Sequence, residues 1–110
     1  MRLDISGHHV EITDSIRQAV KQKIEKVASH YPQLDLCSVT ITVEKNTQKA
    51  EITTQYMGSP ITVQAGNHDL YAAIAELAKK FEAKLEHKKG TMKSHLHDKP
   101  VIDEPPSMQA

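Results

Sequence analysis

The sequence predicts an α+β domain of order β-α-β-β-β-α, in which a four-stranded sheet carries two helices packed on one face. Three observations carry that prediction. Between Leu36 and Ala65, apolar and polar residues alternate through three runs separated by short polar turns, the period of half-buried strands. On either side lie segments whose apolar residues recur at helical spacing, and a short alternating run opens the chain. At 110 residues there is room for one domain with a single modest core.

In the first run, Leu3 and Ile5 face one way and Arg2 and Asp4 the other, giving a short strand from Arg2 to Ser6 before a loop of Gly7, His8 and His9. Thr13 is a good N-cap and Asp14 suits a first helical turn. Ile16, Val20, Ile24, Val27 and Tyr31 then follow at helical spacing, so a helix is expected from about Asp14 to about His30, ahead of Pro32. From Leu36 to Lys45, Cys37, Val39, Ile41 and Val43 alternate with Ser38, Thr40, Thr42 and Glu44, a strand rich in β-branched residues. Asn46, Thr47 and Gln48 make a turn, and Ala50, Ile52, Thr54 and Tyr56 set the inner face of the next strand. Met57, Gly58, Ser59 and Pro60 turn the chain again into a strand with Ile61, Val63 and Ala65 inward.

The last helix is the most informative element. Leu70, Ile74, Leu77, Ala78, Phe81 and Leu85 form one buried stripe; Asn67 or Asp69 can cap its start, and Gly90 is the expected stop. From Asp69 to Lys89 it would be about 31 Å long. Lys80, Lys84 and Lys88 recur every fourth residue with Lys79, Lys89 and Lys93 beside them. Residues 1–95 are taken as the ordered domain. In the tail, 96–110, the segment PVIDEPPSMQA has three prolines and no periodicity, so the tail is expected to be flexible.

Net charge is formally zero, but between Lys79 and Lys99 seven lysines oppose Glu82, Glu86 and Asp98. With two basic helices on one side of a sheet, their outer surfaces form a positive strip suited to phosphates, binding by shape and charge. The opposite sheet face shows Thr40, Thr42, Thr53, Gln55, Thr62 and Gln64 without an aromatic platform, which argues against base stacking on strands.

Other chemistries are poorly supported. His8 with His9, and His95 with His97, are the only close histidine pairs and have no third ligand at zinc-site spacing, so no metal or other cofactor is expected. There is no phosphate-binding glycine loop, no nucleophile elbow and no catalytic carboxylate pair, and the lone Cys37 sits inside a strand. No apolar run reaches membrane-span length and the N-terminus lacks the apolar core of a signal peptide, so a cytoplasmic protein, monomeric when free, is expected.

The opening LDISGHHVEITDSIRQ, the VEK closing the second strand and the DLYAAI entering the last helix resemble the short ribosome hibernation promoting factors and the related ribosome-associated inhibitor A. The resemblance covers residues 1 to about 95 and rests on the combination of GxxVEIT with D-[LM]-Y-x-A-I. It implies a non-enzymatic domain similar to the double-stranded RNA-binding fold, lodged between head and body of the small ribosomal subunit. There it would block messenger and transfer RNA, inhibit translation, and stabilise inactive 70S or dimerised ribosomes in stationary phase or stress. It further implies that Arg17, Lys23 and Lys26 of the first helix and Lys80, Lys84, Lys88, Lys89 and Lys93 of the second face 16S-type ribosomal RNA. Tyr71 matches the motif tyrosine and is expected to support the helix start with a partly exposed ring. Ala83 stands where relatives commonly carry a base, and Glu82 and Glu86 dilute the strip, which shifts weight to the terminal lysines and His87. The alternative class is a small protein-interaction domain whose lysines only solvate a helix face.

Overall fold

The computed structural model describes residues 1–96, with side chains through residue 90; the expected tail beyond Leu96 lies outside the described residues. The elements are β1 (Arg2–His8), α1 (Asp14–Ala28), β2 (Leu36–Glu44), β3 (Thr47–Tyr56), β4 (Ser59–Asn67) and α2 (Leu70–Leu96). The sheet order is β1-β2-β3-β4. β1 runs parallel to β2, which requires the α1 crossover, and the remaining pairs are antiparallel hairpins. This is the α+β architecture that the residue pattern predicts.

Both helices bury their apolar stripes on one sheet face. Ile16, Val20, Ile24 and Val27 of α1 and Leu70, Ile74, Leu77, Phe81 and Leu85 of α2 meet Cys37, Val39, Ile41, Ala50, Ile52, Tyr56, Ile61 and Ala65 of the strands, all buried. Thr54 is the one buried polar side chain among the described residues, and its hydroxyl donates to the Leu36 carbonyl at 2.6 Å. Burial pushes the Cys37 thiol up from its ordinary range, against the opposing hydrogen bond from Thr54. A thiol held protonated in this way is a packing side chain rather than a nucleophile.

Several boundaries differ from the expected ones. Thr13 caps α1 as predicted, its Oγ1 accepting the Ile16 N–H at 3.2 Å. The helix then stops at Ala28, short of His30: Tyr31 precedes Pro32, whose ring disfavours helical backbone at the preceding residue. The Ser29 N–H donates to the Glu25 carbonyl and the Tyr31 N–H to that of Ala28, each at 2.9 Å, and the turn delivers Tyr31 and Leu34 into the core. Gly7 and His8 belong to β1 rather than to a loop, paired with Ile41 and Thr42. A Cβ at Gly7 would stand 2.3 Å from the Val10 carbonyl oxygen, so glycine is required where the chain folds back on itself.

Each predicted turn is shorter in the structure. Thr47 and Gln48 pair with Glu44 and Val43, leaving Lys45 (φ 47°) and Asn46 as the connection. Between β3 and β4 only Met57 (φ 52°) and Gly58 (φ 82°) turn, the left-handed pair that a tight two-residue hairpin uses. Ser59 and Pro60 already belong to β4. Pro60 is tolerated because Tyr56 and Ser59 form the bonded closing pair, which turns the next residue's nitrogen outward on an edge strand.

At the start of α2, Asp69 is the cap: its Oδ1 accepts the Tyr71 N–H at 3.0 Å, while Asn67 steadies the approach by accepting the Asp69 N–H at 2.9 Å. The expected stop at Gly90 is overturned. α2 continues through it to Leu96, 27 residues in all or about 40 Å. A glycine ends a helix by adopting a left-handed conformation, and Gly90 does not; inside a helix it costs only about 1 kcal/mol. A Cβ at Gly90 would meet nothing within 4 Å. Gly90→Ala is therefore expected to slow amide exchange in the flanking turns about fivefold. Unchanged or faster exchange would contradict a continuous helix there.

Candidate nucleic-acid interface

The rotation of about 100° per residue along a helix divides the polar surface of α2 into two flanks. On one side of the buried stripe stand Lys80, Lys84 and His87, bordering β4. There they line a shallow cleft of about 450 Å³ with Thr62, Val63 and Ala83. The Lys80 Nζ donates to the Gln64 carbonyl at 3.4 Å, and the half-buried Lys88 donates to the Ser59 hydroxyl at 3.3 Å. β4 thus holds two of these ammonium groups beside the sheet edge. Neutral acceptors leave their charge uncompensated.

On the other side, toward the end of α1, lie Glu82, Glu86 and Lys89. Glu82 Oε2 approaches His30 Nδ1 at 3.6 Å, and the Lys89 ammonium sits 5.8 Å from the centre of the Tyr31 ring. Tyr31 packs edge-on against Tyr56, with ring centres 5.8 Å apart. Burial first, and then the negative charges of Glu86 and Glu82, push the Tyr31 hydroxyl's pKa up. The two acids that interrupt the lysine series in sequence therefore act on the seam between the helices. Among the described residues no carboxylate comes within 4 Å of an ammonium of Lys80, Lys84 or Lys88.

The sequence-predicted residues are thus distributed rather than gathered into one line. Lys80, Lys84 and Lys88 are brought together on the β4 flank, and Lys89 belongs to the α1 side with Tyr31. Arg17, Lys23 and Lys26 are all exposed on α1; Arg17 falls on one side of its buried stripe and Lys23 and Lys26 on the other. Lys93 lies within α2, and its side chain is outside the described residues, as are those of His95 and His97. Tyr71 is 49% exposed at the helix start, with its ring available to a partner.

Sequence reasoning missed the contribution of β4. The local pattern places Ser59 in a turn and Gln64 on the open sheet face, because nothing in it says that α2 crosses the β4 edge. The open face itself is as expected, with Thr53, Gln55, Thr62 and Gln64 exposed and no Phe, Tyr or Trp, while the longer β1 brings His8 to it opposite Thr42. His8 and His9 stack on each other at 4.1 Å, and no group of three potential metal ligands converges among the described residues. No described helix is long and apolar enough to cross a membrane.

Comparison with known proteins places these features in context. The family model described as sigma 54 modulation protein / S30EA ribosomal protein matches residues 3–93. The ribosome hibernation promoting factor of Pseudomonas putida is 38% identical over 96 residues, covering 87% of this chain and 94% of the relative. That of Escherichia coli K12 is 34% identical over 95 residues, covering 86% of this chain and all of the relative. Among solved structures, a ribosomal subunit interface protein from Coxiella burnetii superposes with a TM-score of 0.78 at 21% identity, covering 82% and 99% of the two chains, a likeness of fold. The N-terminal domain of Thermus thermophilus Protein Y gives 0.71 at 27% identity, covering 79% and 98%.

Proposed function

Because the chain belongs to the sigma 54 modulation protein / S30EA ribosomal protein family, we propose that it is a non-enzymatic ribosome hibernation factor. Its ribosome-binding domain is residues 1–95. It occupies the decoding region of the small subunit in the cytoplasm and excludes messenger and transfer RNA sterically. Translation stops, and inactive ribosomes or their dimers persist through stationary phase or stress. The names of its relatives support the hibernation role.

The observation that carries an RNA contact is the β4 flank of α2, where Lys80 and Lys88 meet neutral acceptors beside Lys84 and where Glu82 and Glu86 are turned to the other side. Such a surface binds a phosphate backbone without reading bases, and the rigid helix fixes the register. Arg17, Lys23, Lys26, Lys89 and Lys93 extend the contact in this reading. No step of the mechanism needs a bond to be made or broken.

The test is co-sedimentation with isolated small ribosomal subunits across a salt series. Each phosphate contact contributes about −0.7 to −0.9 to the slope of log affinity against log salt, so the three lysines alone predict a slope of roughly −2 or steeper. Saturable binding with a slope near zero would favour an uncharged protein interface instead.

A further inference from the structure

The two free edges of the sheet differ. On β4, Pro60 offers no N–H, Lys80 occupies the Gln64 carbonyl and α2 borders the strand, features that discourage a further strand from pairing there. β1 has no such guard, for between Arg2 and His8 it contains neither proline nor lysine. In the ladder with β2, the Arg2 N–H donates to the Asp35 carbonyl at 2.7 Å. Alternate residues of a strand serve alternate sides, so Arg2, Asp4 and Ser6 bond to β2 while the N–H and carbonyl groups of Leu3 and Ile5 point outward. Those outward groups have no hydrogen-bond partner among the described residues. The core is also least covered on this side. Of the half-buried apolar side chains packed against it, all but Val63 belong to β1, the loop that follows and α1.

We infer that β1 is a self-association edge, which pairs antiparallel with β1 of a second copy of this chain about a two-fold axis at Leu3. The occupant is argued from self-complementarity. In that register Leu3 lies opposite the partner's Leu3, and Ile5 lies opposite the partner's Met1. All of these are on the helix face, where they cover apolar surface that one copy leaves open. On the other face, Arg2 lies opposite the partner's Asp4 and Asp4 opposite the partner's Arg2. These are the non-hydrogen-bonded pairs of the ladder, in which side chains stand closest. Within one copy Arg2 Nε is already 3.6 Å from Asp4 Oδ1, so pairing alternates the charges in sign around a square. Neighbouring registers are worse. A centre at Asp4 sets Asp4 against the partner's Asp4, and a centre at Ile5 sets Leu3 against the partner's Gly7 and Arg2 against the partner's His8.

β1 and β4 lie at opposite edges of the sheet, so pairing leaves Lys80, Lys84 and Lys88 free, and the inference does not depend on the proposed ribosomal role. A contact made through a single short strand is at the low end of interface size. The chain is therefore a monomer when dilute and pairs at a concentration on the order of 100 µM.

The experiment is sedimentation equilibrium at low ionic strength from about 10 µM to about 1 mM protein, on the wild type, Arg2→Asp, Asp4→Arg and an equimolar mixture of the two variants. Both side chains are exposed, so each variant should fold. The average mass of the wild type is expected to rise toward that of a dimer. Each variant alone sets like charges opposite one another and should bind itself at least about tenfold more weakly. The mixture sets an acidic edge against a basic one and should associate at least as tightly as the wild type. In amide spectra recorded over the same range, the Leu3 and Ile5 signals should shift with concentration. A wild type that stays monomeric at about 1 mM, variants that associate as it does, or a mixture that fails to recover association would each overturn the inference. So would association that shifts the Thr62 and Gln64 amides and leaves those of Leu3 and Ile5 in place.

Discussion

Replacing Lys80, Lys84 and Lys88 together by glutamate is expected to weaken binding to isolated small ribosomal subunits on the order of a thousandfold near physiological salt. Each reversal removes a cation from the β4 flank and adds a charge that repels phosphate. Because no described carboxylate is paired with these lysines, and Glu82 and Glu86 act on the α1 side, no broken ion pair offsets the loss. The folded domain should survive: Lys80 and Lys84 are exposed, and only single hydrogen bonds to the Gln64 carbonyl and the Ser59 hydroxyl are lost. Circular dichroism would establish that the variant is folded, and co-sedimentation would read the affinity. Binding within a fewfold of wild type, in a folded variant, would reduce the lysines to a solvated helix face.

The largest effect on stability is expected at Phe81. Its side chain is fully buried, in the half of α2 that crosses the sheet. Truncation to alanine removes the transfer free energy of the ring and leaves a cavity that the packed strands fill only in part. The cost is about 3–5 kcal/mol, out of a total of about 5–15 kcal/mol for a domain of this kind. Urea unfolding of Phe81→Ala should show a midpoint lowered by at least about a fifth of the wild-type value. A loss under 1 kcal/mol would mean that α2 is not anchored through this residue, and that the lysines on its outer surface are not held in register by the core.

These two residue sets mark what the sequence made legible. The helical stripe through Phe81 and Leu85 and the alternation through Val39 and Ile52 are periodic signals of burial, and the structure buries all four side chains. Ends were harder to read, because they depend on partners that no local pattern contains. Gly90 looks like a stop until the flanking helix formers carry α2 past it, and Ser59 and Pro60 look like a turn until the register shows an edge strand that tolerates proline. The same limit applied to the site. The lysines could be picked out by their spacing, but their division into a β4 flank and an α1 flank depends on how α2 lies across the sheet. So does the turning of Glu82 toward His30.

The most direct test of the account is a photo-crosslinker placed at position 84, in the β4 flank, and in a second protein at position 53, on the open face of the sheet. Both proteins are bound to small ribosomal subunits and irradiated. Efficient crosslinks are expected from position 84 to ribosomal RNA at the decoding region, and few from position 53. Crosslinks to RNA from position 53 with none from position 84 would place the opposite face on the ribosome and contradict it.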